Sequence, residues 1–336
     1  MTVLNFGEIG KSAAKSETTT RPIVQGRTLQ FDADFSCYEV SVDLEENIQT
    51  TFKRLLEVID YKRRLAGAEF VNAFITLGKK SGRESMATVK EYQENRDPDK
   101  PIKVRVKELR TMLAAYEGDV CKVVHELTHE ADDLMCIHQN NAIRANGVDS
   151  SVIMSGDKDL WMVQGWHCDA KTGRMYKVDG YGKTEYREVG NVKPKLIGEG
   201  TSWFWHQMIM GDTVDNIPGL PYITNDMLDI YFPLKSGKAR KEGKGLCGES
   251  KAVTILDGVT TDVVAASRVF NLYRALYKTR AVEMFMEQGF LLWMQRTYDG
   301  FDFEYFLENI GFSKIGFTAK QREKILNYNI TMEDWA

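Results

Sequence analysis

Four segments of this chain set paired or tripled acids beside apolar runs, and that recurrence constrains the fold more than any other feature. They are QFDAD (residues 30–34), HEADDLM (129–135), SGDKDL (155–160) and GDTVDNIPG (211–219). Taken alone, each has an ordinary explanation. Asp and Glu favour the first turn of a helix, where exposed N–H groups carry partial positive charge, and Asp is a common turn residue. Four in series, each at an element's end, need a common cause.

The elements around them supply one. TLQFDAD (28–34) reads as a short strand, residues 43–67 as a helix closing on Gly67, and EFVNAFITL (69–77) as a second strand. Residues 101–118 read as helical from the middle onward, and VCKVV (120–124) is a short β-branched run. From Glu130 to Ala145, residues Ala131, Leu134, Met135, His138, Ala142 and Ile143 form one helical stripe, and the three acids lie off it. SVIMSGDKDL (151–160) reads as a strand ending in acids. Strands alternating with helices predict a parallel α/β sheet. Ligands of such a sheet bind beyond the carboxyl ends of its strands, where these acids would gather.

Carboxylates so crowded repel each other and resist burial. Divalent cations relieve the repulsion, and hard oxygen donors select Mg²⁺ or Mn²⁺. Two such ions about 4 Å apart would activate a water and stabilise a leaving oxygen at phosphorus. The scattered histidines suggest no Ser–His or Cys–His nucleophile, and His129 and His138 read as structural.

Beyond about residue 165 the pattern changes. Residues 173–189 read as a hairpin, SWFWHQMIM (202–210) as a buried helix, and the chain from 251 onward as helical. We expect a polar arm over 1–26, an α/β core over 27–200 and a helical region over 201–336. No apolar run reaches membrane-span length and no secretory h-region is evident, so no membrane partner is expected. The five cysteines lack CxxC spacing, which points to a reducing, cytoplasmic setting rather than disulfides or zinc. The net charge of −4 does not advertise nucleic-acid binding, yet basic clusters occur at 53–64, 78–83 and 235–245. An acidic protein that holds cations can still present basic DNA-binding faces.

QFDAD, EYQENR (91–96), EADDLM, SGDKDL and MGDTVDNIPGL (210–220), in that order, resemble the motifs of the 5′-nuclease superfamily. That superfamily includes flap endonucleases, the 5′-nuclease domain of bacterial DNA polymerase I and bacteriophage 5′→3′ exonucleases. The look is closest to exonucleases of short-tailed phages. The resemblance implies a PIN-like parallel-sheet α/β core with a mostly helical DNA-binding region. It implies a two-metal, Mg²⁺-dependent 5′→3′ exonuclease or structure-specific 5′ nuclease, with Mn²⁺ substituting, in phage-type DNA replication or degradation. The implied partner is duplex DNA with a 5′ end, nick or flap, or an RNA–DNA hybrid.

Residue by residue, the resemblance makes Asp32, Glu130, Asp132, Asp133, Asp157, Asp159, Asp212 and Asp215 metal-site acids. Asp34 is a weaker candidate, a helix cap or an outer partner. Lys90 and Arg96 would meet the scissile phosphate; Lys79, Lys80, Arg83 and Arg96 would steer DNA. A duplex-binding turn falls at Gly219 or at Gly248: either residues 221–231 continue it or a basic insertion splits it. Two departures stand out. Relatives carry an acid just after the second strand, where this chain has Thr76 and Leu77, and a Lys where it has Gln93. Two rival readings follow. One is a haloacid-dehalogenase-type phosphatase using Asp32 as nucleophile and Asp34 as general acid. The other is a catalytically inactive DNA-binding relative.

Overall fold

The computed structural model describes residues 20–78, 81–95, 97, 100–188, 194–225, 227–228, 244–245, 247–298 and 302–326. They pack as two units interleaved along the chain. The first comprises residues up to 80, 97–157 and 165–177; the second comprises 81–96, 158–164 and 178 onward.

The first unit is built on a six-stranded sheet. Its strands are β1 (Val24–Asp32), β2 (Ala68–Phe74), β3 (Lys122–Val124), β4 (Ser151–Met154), β5 (Gly165–Cys168) and β6 (Met175–Val178), in the order β3-β2-β1-β4-β5-β6. The β3–β2, β2–β1, β1–β4 and β4–β5 pairs are parallel, as the alternation of strands and helices predicts. Its helices are α1 (Ala33–Val40), α2 (Ile48–Leu65), α3 (Pro101–Ala114) and α4 (Ala131–Asn146). Leu29, Phe31, Leu55, Ile59, Val71, Leu109 and Val152 bury one continuous core among α1, α2, α3 and the sheet. The chain leaves β1 towards β2 and β3, then returns to β4 on the other side. Such a reversal puts the topological switch point at the carboxyl ends of β1 and β4, the place where α/β sheets bind ligands.

Four local expectations change. β1 begins at Val24, inside the expected polar arm, and ends at Asp32, so Asp34 lies on α1 rather than on a strand. Asp32 stops the strand because its side chain caps α1, accepting the Phe35 N–H. α3 is helical from its first residue, with Pro101 at the N-terminal position where its missing N–H costs nothing. The hairpin expected over 173–189 does not form. β6 joins the main sheet, while β7 (Lys183–Arg187) pairs antiparallel with β8 (Lys195–Glu199).

The second unit is mostly helical. α5 (Thr201–Met210) is buried from Thr201 to Ile209. It is followed by α6 (Glu249–Leu256), α7 (Asp262–Tyr277), α8 (Ala281–Leu292), α9 (Phe303–Ile310), α10 (Phe312–Ile315) and α11 (Ala319–Leu326). Phe204 and Trp205 from α5 pack against Phe285, Trp293, Phe303 and Phe306. The aromatic segment 202–210 is therefore core, as expected, and Trp293 packs into the same cluster. No described helix is long and apolar enough to cross a membrane.

Candidate metal centre

In the first unit, hydrogen bonds tie the ends of β1, β2 and β4 to the start of α4. Asp32 Oδ1 accepts the Phe35 N–H at 2.9 Å, and its Oδ2 accepts the Ser155 hydroxyl at 2.6 Å. Ser155 Oγ in turn accepts the Asp157 N–H at 2.9 Å. One hydroxyl thus links the acid ending β1 to the segment that follows β4. Beside it, Asp34 accepts the Thr76 N–H on both oxygens, at 3.2 and 3.1 Å, and lies 2.7 Å from Arg110 Nε. Thr76 Oγ1 accepts the Ala131 N–H at 3.0 Å. Thr76 therefore anchors the first residue of α4, beside Glu130, Asp132 and Asp133. Thr76, at the position where the sequence resemblance implies an acid, supplies a hydroxyl that holds a helix start.

Asp133 departs from the sequence expectation. It was to lie off the apolar stripe with Glu130 and Asp132, yet it is fully buried beside Leu134 and Met135. Helical periodicity assigns a polar residue to the wet face and has no means of recognising a carboxylate kept inside.

Burial dominates the electrostatics of this cluster. Desolvation, followed by repulsion from Asp34, pushes Asp32 up to about 6, against the lowering effect of the Ser155 and Phe35 hydrogen bonds. Burial also raises Asp34, although the Arg110 guanidinium opposes it.

The second unit holds a tighter group. Carboxylate oxygens of Asp159, Asp212 and Asp215 lie within 4.8 Å of one another. Asp159 opens a short 3-10 turn (Asp159–Met162), and Asp212 and Asp215 lie in the loop after α5. Reciprocal backbone bonds between Asp212 and Ile217, at 2.8 and 2.7 Å, close that loop. Lys158 Nζ lies 3.1 Å from Asp159 and also bonds Asp212. Gln207 Nε2 donates to Asp159 Oδ1 at 2.6 Å, and Gln93 Nε2 donates to Asp215 Oδ1 at 2.8 Å. Three hard oxygen donors at this spacing, with two of their residues buried, fit a divalent cation.

Sequence reasoning did not foresee the roles of Ser155, Arg110, Lys158 and Gln207. Ser155 and Lys158 belong to the SGDKDL motif, which was a usable signal. Nothing near Arg110 or Gln207 gave one.

The remaining candidates scatter. Lys90 is exposed. Arg83, expected to steer DNA, is 1% exposed and donates to the Leu291 and Trp293 carbonyls. A guanidinium spent on buried carbonyls cannot reach a phosphate, so Arg83 is an anchor of the fold. The Gly219 N–H donates to Gln288 Oε1 at 3.2 Å, and Gly219 packs against the Gly211 backbone, where a Cβ would lie 2.3 Å from Gly211 N. Gly248 caps α6, is exposed, and has open space around its Cα. Lys79, Lys80 and Arg96 lie outside the described residues.

No protein-family model matches the sequence. No curated protein sequence matches it either. Solved structures do match in fold. One is a bacteriophage T5 flap endonuclease in a pseudo-enzyme–product complex with DNA and metal ions, with TM-score 0.51 and 13% identity, covering 89% of this chain and 98% of that one. Another is the T5 5′-exonuclease with bound divalent zinc, with TM-score 0.52 and 14% identity over the same shares of the two chains. Read with the parallel sheet and its acid-bearing strand ends, these matches give the chain the 5′-nuclease fold.

Proposed function

We propose that the protein is a Mg²⁺-dependent 5′ nuclease that hydrolyses DNA phosphodiesters near a 5′ end, nick or flap. The observation that carries the reading is the Asp159–Asp212–Asp215 group, whose oxygens lie within 4.8 Å of one another on a 5′-nuclease fold. The metal ions and DNA recorded with the T5 enzymes support it.

In this reading Asp159, Asp212 and Asp215 hold a divalent cation in the second unit, while Asp32, Glu130, Asp132, Asp133 and Asp157 stay candidate ligands of the first unit, where no comparable three-oxygen group forms among the described residues. Such ions, when bound, lower the pKa of a water and stabilise a leaving oxygen at phosphorus. Ser155 keeps Asp32 oriented. Thr76 keeps the start of α4, and so Glu130, in place. Lys90 and Arg96 offer positive charge to the phosphate. The open backbone N–H groups at the start of α6, from Gly248, suit a DNA phosphate better than the committed N–H of Gly219. The phosphatase rival needs Asp34 as a general acid, but both Asp34 oxygens accept the Thr76 N–H and Oδ1 faces Arg110.

The test is a product ladder from 5′-labelled nicked, flapped and blunt duplexes, with Mg²⁺ or with EDTA. Short 5′-labelled products that require Mg²⁺ support the reading. A gel shift with the DNA left whole under Mg²⁺ overturns it in favour of a binding protein.

A further inference from the structure

We infer that Gln207 and Gln93 are positioning residues that aim the Asp159–Asp212–Asp215 carboxylates at a divalent cation. This rests on the metal-binding reading above and extends it to side chains that carry no charge.

Gln207 lies on α5 and is fully buried. A carboxylate only accepts hydrogen bonds, so the amide must turn its Nε2 towards Asp159 Oδ1, 2.6 Å away; Asp212 Oδ2 is 3.5 Å away. This orientation leaves Gln207 Oε1 without a partner among the described residues. An unsatisfied buried acceptor costs free energy, and a leucine of similar size would avoid it. The amide therefore satisfies the carboxylate at its own expense.

The matching contact to another carboxylate of the group, Asp215, comes from Gln93. It is 6% exposed and held at φ +58, a left-handed conformation uncommon for residues other than glycine. Two bonds to one residue hold it there: Gln93 N–H to the Asp215 carbonyl at 3.0 Å and Gln93 Nε2 to Asp215 Oδ1 at 2.8 Å. Asn95 Nδ2 to the Thr213 carbonyl, and Asn216 Nδ2 to the Glu91 carbonyl, both about as short, fasten the same segment to the same loop.

The chemistry explains why amides serve here. A carboxamide fixes a carboxylate's rotamer without neutralising it. The anionic charge stays available to a cation, whereas a second lysine or arginine would compete for it. Loss of such outer hydrogen bonds commonly weakens metal binding tenfold or more.

Isothermal titration with MnCl₂ on the DNA-free, full-length protein tests this, alongside thermal unfolding in EDTA. Q207L should weaken Mn²⁺ binding about tenfold, with little net change in the EDTA melting temperature, because losing the buried orphan acceptor offsets losing the Nε2 donor to Asp159. Q93A should weaken it by a comparable factor, and Q93N should recover part of the loss, since Asn also tolerates positive φ. Should Q207L destabilise the metal-free fold, Q207M replaces it in the same titration. Unchanged Mn²⁺ affinity in a folded Gln207 variant and in Q93A would overturn the inference. If wild-type protein binds no Mn²⁺, the metal-binding reading itself fails instead.

Discussion

Arg110 Nε lies 2.7 Å from Asp34 Oδ1, and burial still holds the Asp34 carboxyl above its usual pKa. Removing the guanidinium should therefore matter only while Asp34 is ionised. Arg110→Met is expected to destabilise the protein by about 2 kcal/mol at pH 8 and much less at pH 4. Urea denaturation at both pH values measures this, and Asp34→Asn in the same chain should restore most of the loss. An equal loss at both pH values would make Arg110 a packing residue.

Asp32, pushed up to about 6, gives a second pH effect with a definite sign. An unfolded Asp titrates near 3.9. Between these values the folded state binds more protons than the unfolded one. The metal-free protein should thus lose stability as pH rises from about 4 to about 6, by an amount on the order of 3 kcal/mol. Asp32→Asn should flatten that slope. Divalent cations compete with the same proton, so Mn²⁺ affinity should fall as pH drops below about 6. Affinity that is flat from pH 5 to 8 would remove Asp32 from the metal site.

Lys158 holds the place of a counter-charge between Asp159 and Asp212. Lys158→Met should lower stability in EDTA by about 1–2 kcal/mol, because two buried acids lose their cation. Mn²⁺ should then raise the melting temperature more in the variant than in the wild type. An unchanged EDTA melting temperature would mean that the ammonium is dispensable.

Arg83 separates anchoring from DNA contact. Its side chain is buried against the Leu291 and Trp293 carbonyls. Arg83→Met should cost about 2 kcal/mol or more, because it leaves those carbonyls without their charged donor. The salt dependence of DNA binding should not change. A shallower salt slope with unchanged stability would return Arg83 to the DNA face.

The parallel sheet was legible because β-branched runs alternating with helical spacing leave few other topologies. The acids at strand ends were legible because they recur. Asp34 was misassigned to a strand because Asp32, the residue that ends the strand, is also the cap of α1, and a cap is visible only once the helix after it is known. Asp133 was placed on the wet face because helical periodicity weighs only polarity. The hairpin over 173–189 failed because strand partners are chosen by long-range pairing: β6 finds the main sheet and β7 finds β8. Gln207 and Arg110 were silent, and Gln93 was noticed only as a missing lysine, because their roles exist only through contacts with residues distant in sequence: Gln93 with Asp215, 122 positions away, Gln207 with Asp159, 48 away, and Arg110 with Asp34, 76 away.

The most direct test of the central claim is single-turnover hydrolysis of a 5′-labelled duplex by Asp157→Asn with Asp159→Asn, paired with DNA affinity measured in Ca²⁺. Loss of hydrolysis by about a thousandfold or more, with affinity preserved, is the predicted result. Hydrolysis at the wild-type rate would contradict the account, because those carboxylates would then have no part in holding the ions that cleave DNA.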